Sequence, residues 1–79
     1  MISVNENKLV EIFRVILELD GNQEIALVSR LTEENWDSLA HVSIIAAIES
    51  EFGLNLEISD MECMTSFAAT RVLLEGKGL

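Results

Sequence analysis

Residues 36–53 read WDSLAHVSIIAAIESEFG, and this stretch decides the fold. Its large apolar residues recur at steps of three and four, the spacing of one face of an α-helix. These residues are Leu39, Val42, Ile45, Ile48 and Phe52. Asp37 is a good N-cap and Gly53 a good terminator, so the sequence predicts a helix between them. Further apolar residues fall between these positions, so this helix should pack on two sides or offer an apolar face to partners.

A first helix is predicted upstream of this stretch. Ser3 and Glu6 have the spacing of a capping box, which favours a helix start. One apolar stripe follows at three- and four-residue steps and ends at Asp20-Gly21. Its members are Leu9, Ile12, Phe13, Ile16 and Leu19.

Residues 21–37 have no clear periodicity and are interpreted as a long loop, with room for one helical turn. A connection of this length in a small domain is usually functional or anchored by its own side chains. The expected anchors are Ile25, Leu31 and Trp36.

The remaining sequence predicts two more helices. Residues 59–62 resemble a short capped turn, and Thr65 or Ser66 can cap a final helix. Its apolar residues are Phe67, Ala68, Val72 and Leu73, and residues 76–79 are expected to form a frayed tail. No segment alternates with a period of two. We therefore predict one all-α domain over residues 1–79, a bundle of three main helices plus one short helix, with the long loop between helices one and two.

Charge and cysteine content limit the function classes. The 79 residues include 14 acidic and 5 basic side chains, a net charge of −9, which disfavours nucleic-acid binding and favours basic partner surfaces. The single cysteine, Cys63, cannot form an intramolecular disulfide. With no leader pattern and no membrane-length apolar run, a soluble cytoplasmic protein without a membrane partner is expected.

Ser38 is the main candidate for chemistry. It would be the first residue inside the second helix, with its hydroxyl facing solvent. A helix N-terminus carries partial positive charge and unpaired N–H groups, so it tolerates a phosphate-linked group. Any capped helix has such a position, so this argument alone is not specific.

The order of several motifs resembles the acyl carrier protein family. Asp37-Ser38-Leu39, then Val42, then residues 49–53 resemble the family's attachment motif and second helix in order and spacing. The first helix, the long loop, the short turn and the start of the last helix also look like family segments. The resemblance therefore covers nearly the whole chain.

The resemblance implies a free-standing carrier that is not itself an enzyme and has no catalytic residues. A phosphopantetheinyl transferase would use coenzyme A to attach 4'-phosphopantetheine to Ser38. The thiol of this arm would hold an acyl group as a thioester for acyl-transferring, synthase or ligase enzymes. Asp37 and Leu39 are the motif neighbours of the attachment point, and Leu39 and Val42 are expected to pack beneath it.

The sequence also departs from the family pattern. Many fatty-acid carriers have acidic residues at the positions that match Ala40 and Ser43. Here both residues are uncharged, so the front of this helix is nearly neutral. We therefore expect a carrier for a specialised pathway. The candidate partner-recognition residues are Trp36, His41, Val42, Ile45 and Glu49. A loop anchor at the end of the bundle is the simpler interpretation of Trp36.

Other interpretations remain at this point. The load can be an aminoacyl group installed by an adenylating ligase, or the chain can be an unmodified helical interaction module. Adjacent Asp37 and Ser38 cannot leave His41 between them as a hydrolytic triad requires. Asp37 and His41 alone make a poor metal site, so none is predicted. A carrier that visits several enzymes is expected to be a monomer.

Overall fold

Four α-helices lie in the part of the chain that the structure describes. The computed structural model describes residues 4–78, and side chains from residue 6 to residue 78. The helices are α1 (Val4–Ile16), α2 (Ser38–Phe52), α3 (Ile58–Cys63) and α4 (Phe67–Gly76), with a 3₁₀ turn at Ile25–Leu27. Residues 4–78 contain no strand, so the predicted all-α fold is confirmed. Within the same residues, no helix combines the length and apolarity needed to span a bilayer.

The first helix ends earlier than predicted. Its last residue is Ile16, and Glu18 then adopts a left-handed conformation with φ of 53°. The Leu19 N–H donates to the Arg14 carbonyl at 3.0 Å, which is the long hydrogen bond of a Schellman motif. Glu18, a residue type that seldom adopts this conformation, therefore ends α1 ahead of the predicted Asp20-Gly21. Ser3 of the predicted capping box lies outside the described residues.

The core is centred on Phe13, whose side chain is fully buried. Its ring meets Trp36 edge to face at a centroid distance of 5.2 Å, and meets Phe67 in the same way at 5.2 Å. Such pairs stabilise beyond the area that they bury. Phe13 thus joins α1 to the end of the long loop and to α4. The other buried apolar residues are Leu9, Leu17, Val28, Ile44, Ile45, Ile48, Leu56, Met64 and Leu74.

The long loop is held by specific hydrogen bonds. The Phe67 N–H donates to the Val28 carbonyl at 3.0 Å, next to an isolated bridge between Ser29 and Ser66. The Asn35 side-chain amide donates to the Leu17 carbonyl at 2.8 Å, which satisfies an orphan acceptor at the end of α1. These contacts fix the middle and the C-terminal end of the loop to helices.

Two of the three predicted loop anchors lie against or within the core. Trp36 is buried, and Ile25 is half-buried. The prediction for Leu31 was wrong, because its side chain is 98% exposed. Val28 takes the anchoring role, since its backbone pairs with α4 and its side chain is buried.

The buried face of α4 includes a polar residue. Ser66 is the N-cap and accepts from the Ala69 N–H at 3.0 Å, as predicted. Val72 is largely exposed and Ala68 is also on the surface, whereas Thr70 is fully buried. The Thr70 hydroxyl donates to the Ser66 carbonyl at 2.8 Å, so burying this polar side chain leaves no orphan group. The positions of the apolar residues in the sequence do not identify this buried face, because it includes a threonine.

Polar contacts help to hold the short helix α3 in place. The Glu57 N–H donates to the Asp60 carboxylate at 3.0 Å at its start. None of its six residues is buried. Lys77, expected to lie in a frayed tail, instead places its ammonium 2.9 Å from the Asp60 carboxylate. This ion pair connects α3 to the end of α4. The predicted tail residue Leu79 lies outside the described residues.

Candidate functional site

The start of α2 has the capped geometry that the sequence predicts. The Asp37 carboxylate accepts from the Ala40 N–H at 2.8 Å, and the Asp37 carbonyl accepts from the His41 N–H at 2.9 Å. Ser38 is therefore the first helical residue and not the cap, and its side chain is exposed.

Two backbone N–H groups remain for an anion at this helix end. In an α-helix the first N–H groups have no intrahelical acceptor, and here the capping carboxylate uses that of Ala40. The N–H groups of Ser38 and Leu39 have no such acceptor from the cap. With the positive end of the helix dipole, they can stabilise the negative charge of a phosphodiester on Ser38. The exposed hydroxyl at this position is thus suited to carry a phosphate-linked group.

The cap itself can be tested by mutation. Asp37→Ala is expected to lower the free energy of unfolding by about 1 kcal/mol, because it removes the side-chain acceptor of α2. Asp37→Asn keeps an acceptor oxygen and should recover most of that loss. Urea denaturation followed by circular dichroism measures both. Equal destabilisation by the two variants would contradict the capping role.

His41 connects the loop to α3 through both of its ring nitrogens. The Trp36 Nε1–H lies 3.0 Å from His41 Nδ1, and His41 Nε2 lies 3.0 Å from the Met61 carbonyl oxygen. Indole can only donate, so Nδ1 accepts and Nε2 carries the proton that it donates to Met61. The two rings lie within 28° of parallel, with centroids 6.0 Å apart. We call Trp36, His41 and the Met61 carbonyl the Trp–His–Met relay.

The hydrogen bonds of the Trp–His–Met relay argue against a catalytic or metal-binding role for His41. A metal ligand or a general base needs an unoccupied ring nitrogen, and both nitrogens are occupied here. His41 is also half-buried instead of fully exposed. Neither a triad with Ser38 nor a metal site with Asp37 is compatible with this hydrogen bonding.

The two apolar residues that follow Ser38 lie on the surface. Leu39 is 76% exposed and Val42 is 61% exposed. The expectation that they pack beneath the attachment point was therefore wrong. The buried residues of α2 are Ile44, Ile45 and Ile48. Because α2 is apolar on several faces, its sequence does not reveal which apolar residues turn inward.

Most of the candidate partner-recognition residues have contacts inside the protein. Trp36 and Ile45 are buried, so neither is available to a partner on this surface. Half-buried Glu49 accepts from the Leu56 N–H at 2.8 Å and so holds the connection between α2 and α3. Of the five candidates, only Val42 is largely exposed. Sequence reasoning missed Ile58, the first residue of α3, whose side chain is 74% exposed.

Asp60 gives this region a testable pH dependence. The Glu57 N–H, and next the Lys77 ammonium, hold the pKa of the Asp60 carboxyl below its ordinary value of 3.8. A carboxyl with a lower pKa in the folded state stabilises the fold above its ordinary pKa, and this contribution is lost as pH falls through the lowered value.

Asp60→Asn is therefore expected to lower the melting temperature at pH 7. The difference from the wild type should shrink as pH falls below 3.8 and through the lowered folded-state pKa. Thermal denaturation across this range measures it. Lys77→Met should show a weaker form of the same behaviour, because the Glu57 N–H remains. A wild-type advantage that persists at the lowest pH would contradict the assignment.

A family comparison identifies the kind of protein. The family described as "Phosphopantetheine attachment site" matches residues 7–69, which include the start of α2 and the relay. The chain belongs to this family. Its members carry a 4'-phosphopantetheine prosthetic group, so the chain is a phosphopantetheine-carrier protein. No curated protein and no solved structure is significantly similar to it.

Membership of the phosphopantetheine attachment site family limits the chemistry that the chain performs. Carrier domains of this kind are not catalytic themselves and work with transferases and synthases. The relevant properties of the chain are therefore its attachment point and the surface around it.

Proposed function

We propose that this chain is an acyl carrier protein whose phosphopantetheine arm is attached to Ser38. The observation that carries the proposal is the exposed serine at the first position of a capped helix, inside the residues that match the family. When bound, the arm supplies a thiol that holds the load as a thioester. The chain presents this load to partner enzymes and does not react with it.

The residues around Ser38 have separate roles in the proposal. The Ser38 hydroxyl accepts the phosphate-linked arm, and the N–H groups of Ser38 and Leu39 stabilise its negative charge. Asp37 fixes the start of the helix through its hydrogen bond to Ala40. Its carboxylate is already used as a cap, which makes it a positioning residue.

Partner enzymes are proposed to contact an apolar surface beside the arm. Leu39 and Val42 stand one turn apart on α2, and Ile58 begins the helix that His41 contacts. We call these three exposed residues the docking surface. Exposed acidic residues flank it, including Asp37, Glu57 and Glu62. A partner with an apolar patch inside a basic rim has complementary chemistry.

The neutral front of α2 supports a specialised pathway. Ala40 and Ser43 bring no charge to the helix that bears the arm, so partners would read shape and apolar contacts there. A housekeeping fatty-acid synthase is expected to elongate chains on this protein more slowly than on its own carrier. Equal rates would contradict the specialised role while leaving the carrier function intact.

The first experiment is intact-mass spectrometry after incubation with coenzyme A and a broad-specificity phosphopantetheinyl transferase. The proposal predicts the gain of one phosphopantetheine. The loaded protein is then offered to fatty-acid-activating and amino-acid-activating ligases, and thioester formation distinguishes an acyl from an aminoacyl load. Folded protein that gains no mass would favour an unmodified interaction module.

A further inference from the structure

Only a few side chains of α3 hold it against the rest of the protein. The helix has six residues, too few to be stable alone, and none of them is buried. Buried Leu56 and Met64 flank it on either side. Between these anchors, the half-buried Met61 side chain packs against the core, and two polar contacts made by Met61 and Asp60 add to this packing.

The two polar contacts differ in strength. The Asp60 to Lys77 ion pair is partly exposed, and such surface pairs contribute little. The contact between His41 and Met61 is a part-buried hydrogen bond, and its donor ring is fixed from the other side by Trp36. An indole N–H left unpaired in this buried position would be costly. His41 is therefore the stronger constraint on α3.

Trp36 anchors the Trp–His–Met relay in the core. Trp36 is 3% exposed and packs edge to face on Phe13. It also directly precedes Asp37, the cap of the helix that bears Ser38. The same rigid residue thus fixes the start of α2 and, through His41, the helix α3.

We propose that His41 is a positioning residue that sets the docking surface by fixing α3 against the start of α2. Ile58 lies one helical turn before Met61, so the bond that holds the Met61 carbonyl also restrains the turn of α3 that exposes Ile58. This inference rests on the proposed carrier function. His41 acts by holding the docking surface in shape and does not itself contact the partner.

The test compares the wild type and three variants as substrates of a phosphopantetheinyl transferase. His41→Phe keeps an aromatic ring but removes both hydrogen bonds. His41→Gln retains a carbonyl that can accept from Trp36 and an amide that can donate to Met61. Ser50→Ala, an exposed change near the other end of the same helix, is the matched control.

His41→Phe is expected to raise KM for the carrier on the order of three- to tenfold, the range for loss of a neutral hydrogen bond, with little change in kcat. His41→Gln should restore KM to near the wild-type value, and Ser50→Ala should leave it unchanged. All four proteins should reach full loading at saturating transferase. Full loading separates this inference from the carrier function itself.

A second readout reports on the relay directly. Trp36 is the only tryptophan, so its indole N–H gives one resolved proton resonance. This resonance should shift upfield in His41→Phe and stay close to its wild-type position in His41→Gln. Amide exchange should accelerate in α3 but not in α1. If His41→Phe does not fold, Trp36→Phe removes the same hydrogen bond from its donor side and takes its place.

Three outcomes would overturn the inference. The first is an unchanged KM in a folded variant that lacks the Trp36 to His41 hydrogen bond. The second is a His41→Gln protein no better than His41→Phe, which would show that the ring and not its hydrogen bonds matters. The third is no loading of any protein, the wild type included, which would overturn the proposed function as well.

Discussion

Phe13→Ala is expected to lower the free energy of unfolding by several kcal/mol. Truncating a fully buried phenylalanine usually costs about 3 to 5 kcal/mol. The loss should lie at the upper end here, because the ring makes edge-to-face contacts with both Trp36 and Phe67. A chain of 79 residues has roughly 4 to 12 kcal/mol of stability in total, so one substitution removes a large share.

Urea denaturation followed by circular dichroism measures the effect of Phe13→Ala. Phe52→Ala is the matched control, because that ring lies at the end of α2 and is only half-buried. It should cost clearly less. Equal losses in the two variants would contradict the central position of Phe13 in the core.

Ser38→Ala is expected to abolish incorporation of phosphopantetheine and to leave stability nearly unchanged. The substitution removes the only hydroxyl at the first position of α2. Alanine is a good helix former, and the capping hydrogen bond comes from Asp37 and not from Ser38. Loss of the modification is therefore separable from loss of the fold.

Intact mass measures loading of Ser38→Ala, and thermal denaturation measures its stability. Ser43→Ala and Ser50→Ala change other exposed serines of α2 and should load as the wild type does. A Ser38→Ala protein that still gained the arm would place the attachment elsewhere. One that unfolded would mean that Ser38 has a structural role.

The sequence predicted elements well where the signals are local. Asp37 and Gly53 bound α2 as predicted, because a capping carboxylate and a left-handed glycine act on the residues next to them. The end of α1 was misplaced since Glu18 adopts a conformation that its residue type does not signal. The end of a helix can be predicted from the sequence where the residue at that end is of a type that commonly adopts the required conformation.

Features that depend on tertiary packing were not predictable. His41 and Met61 are 20 positions apart in sequence, and their contact exists only once α3 packs beside α2. Leu39 and Val42 fit the apolar pattern of α2 as well as the residues that are buried, so only the packed structure assigns them to the surface. The exposed Ile58 likewise had no signal in the sequence.

The most direct test of the account is to locate the modification within the wild-type chain. The protein is loaded with coenzyme A and a phosphopantetheinyl transferase, digested, and analysed by fragmentation mass spectrometry. Attachment at Ser38 predicts that the added mass lies on this residue alone, with the serines at positions 3, 29, 43, 50, 59 and 66 unmodified. Mass on any other residue, or no added mass on folded protein, would contradict it.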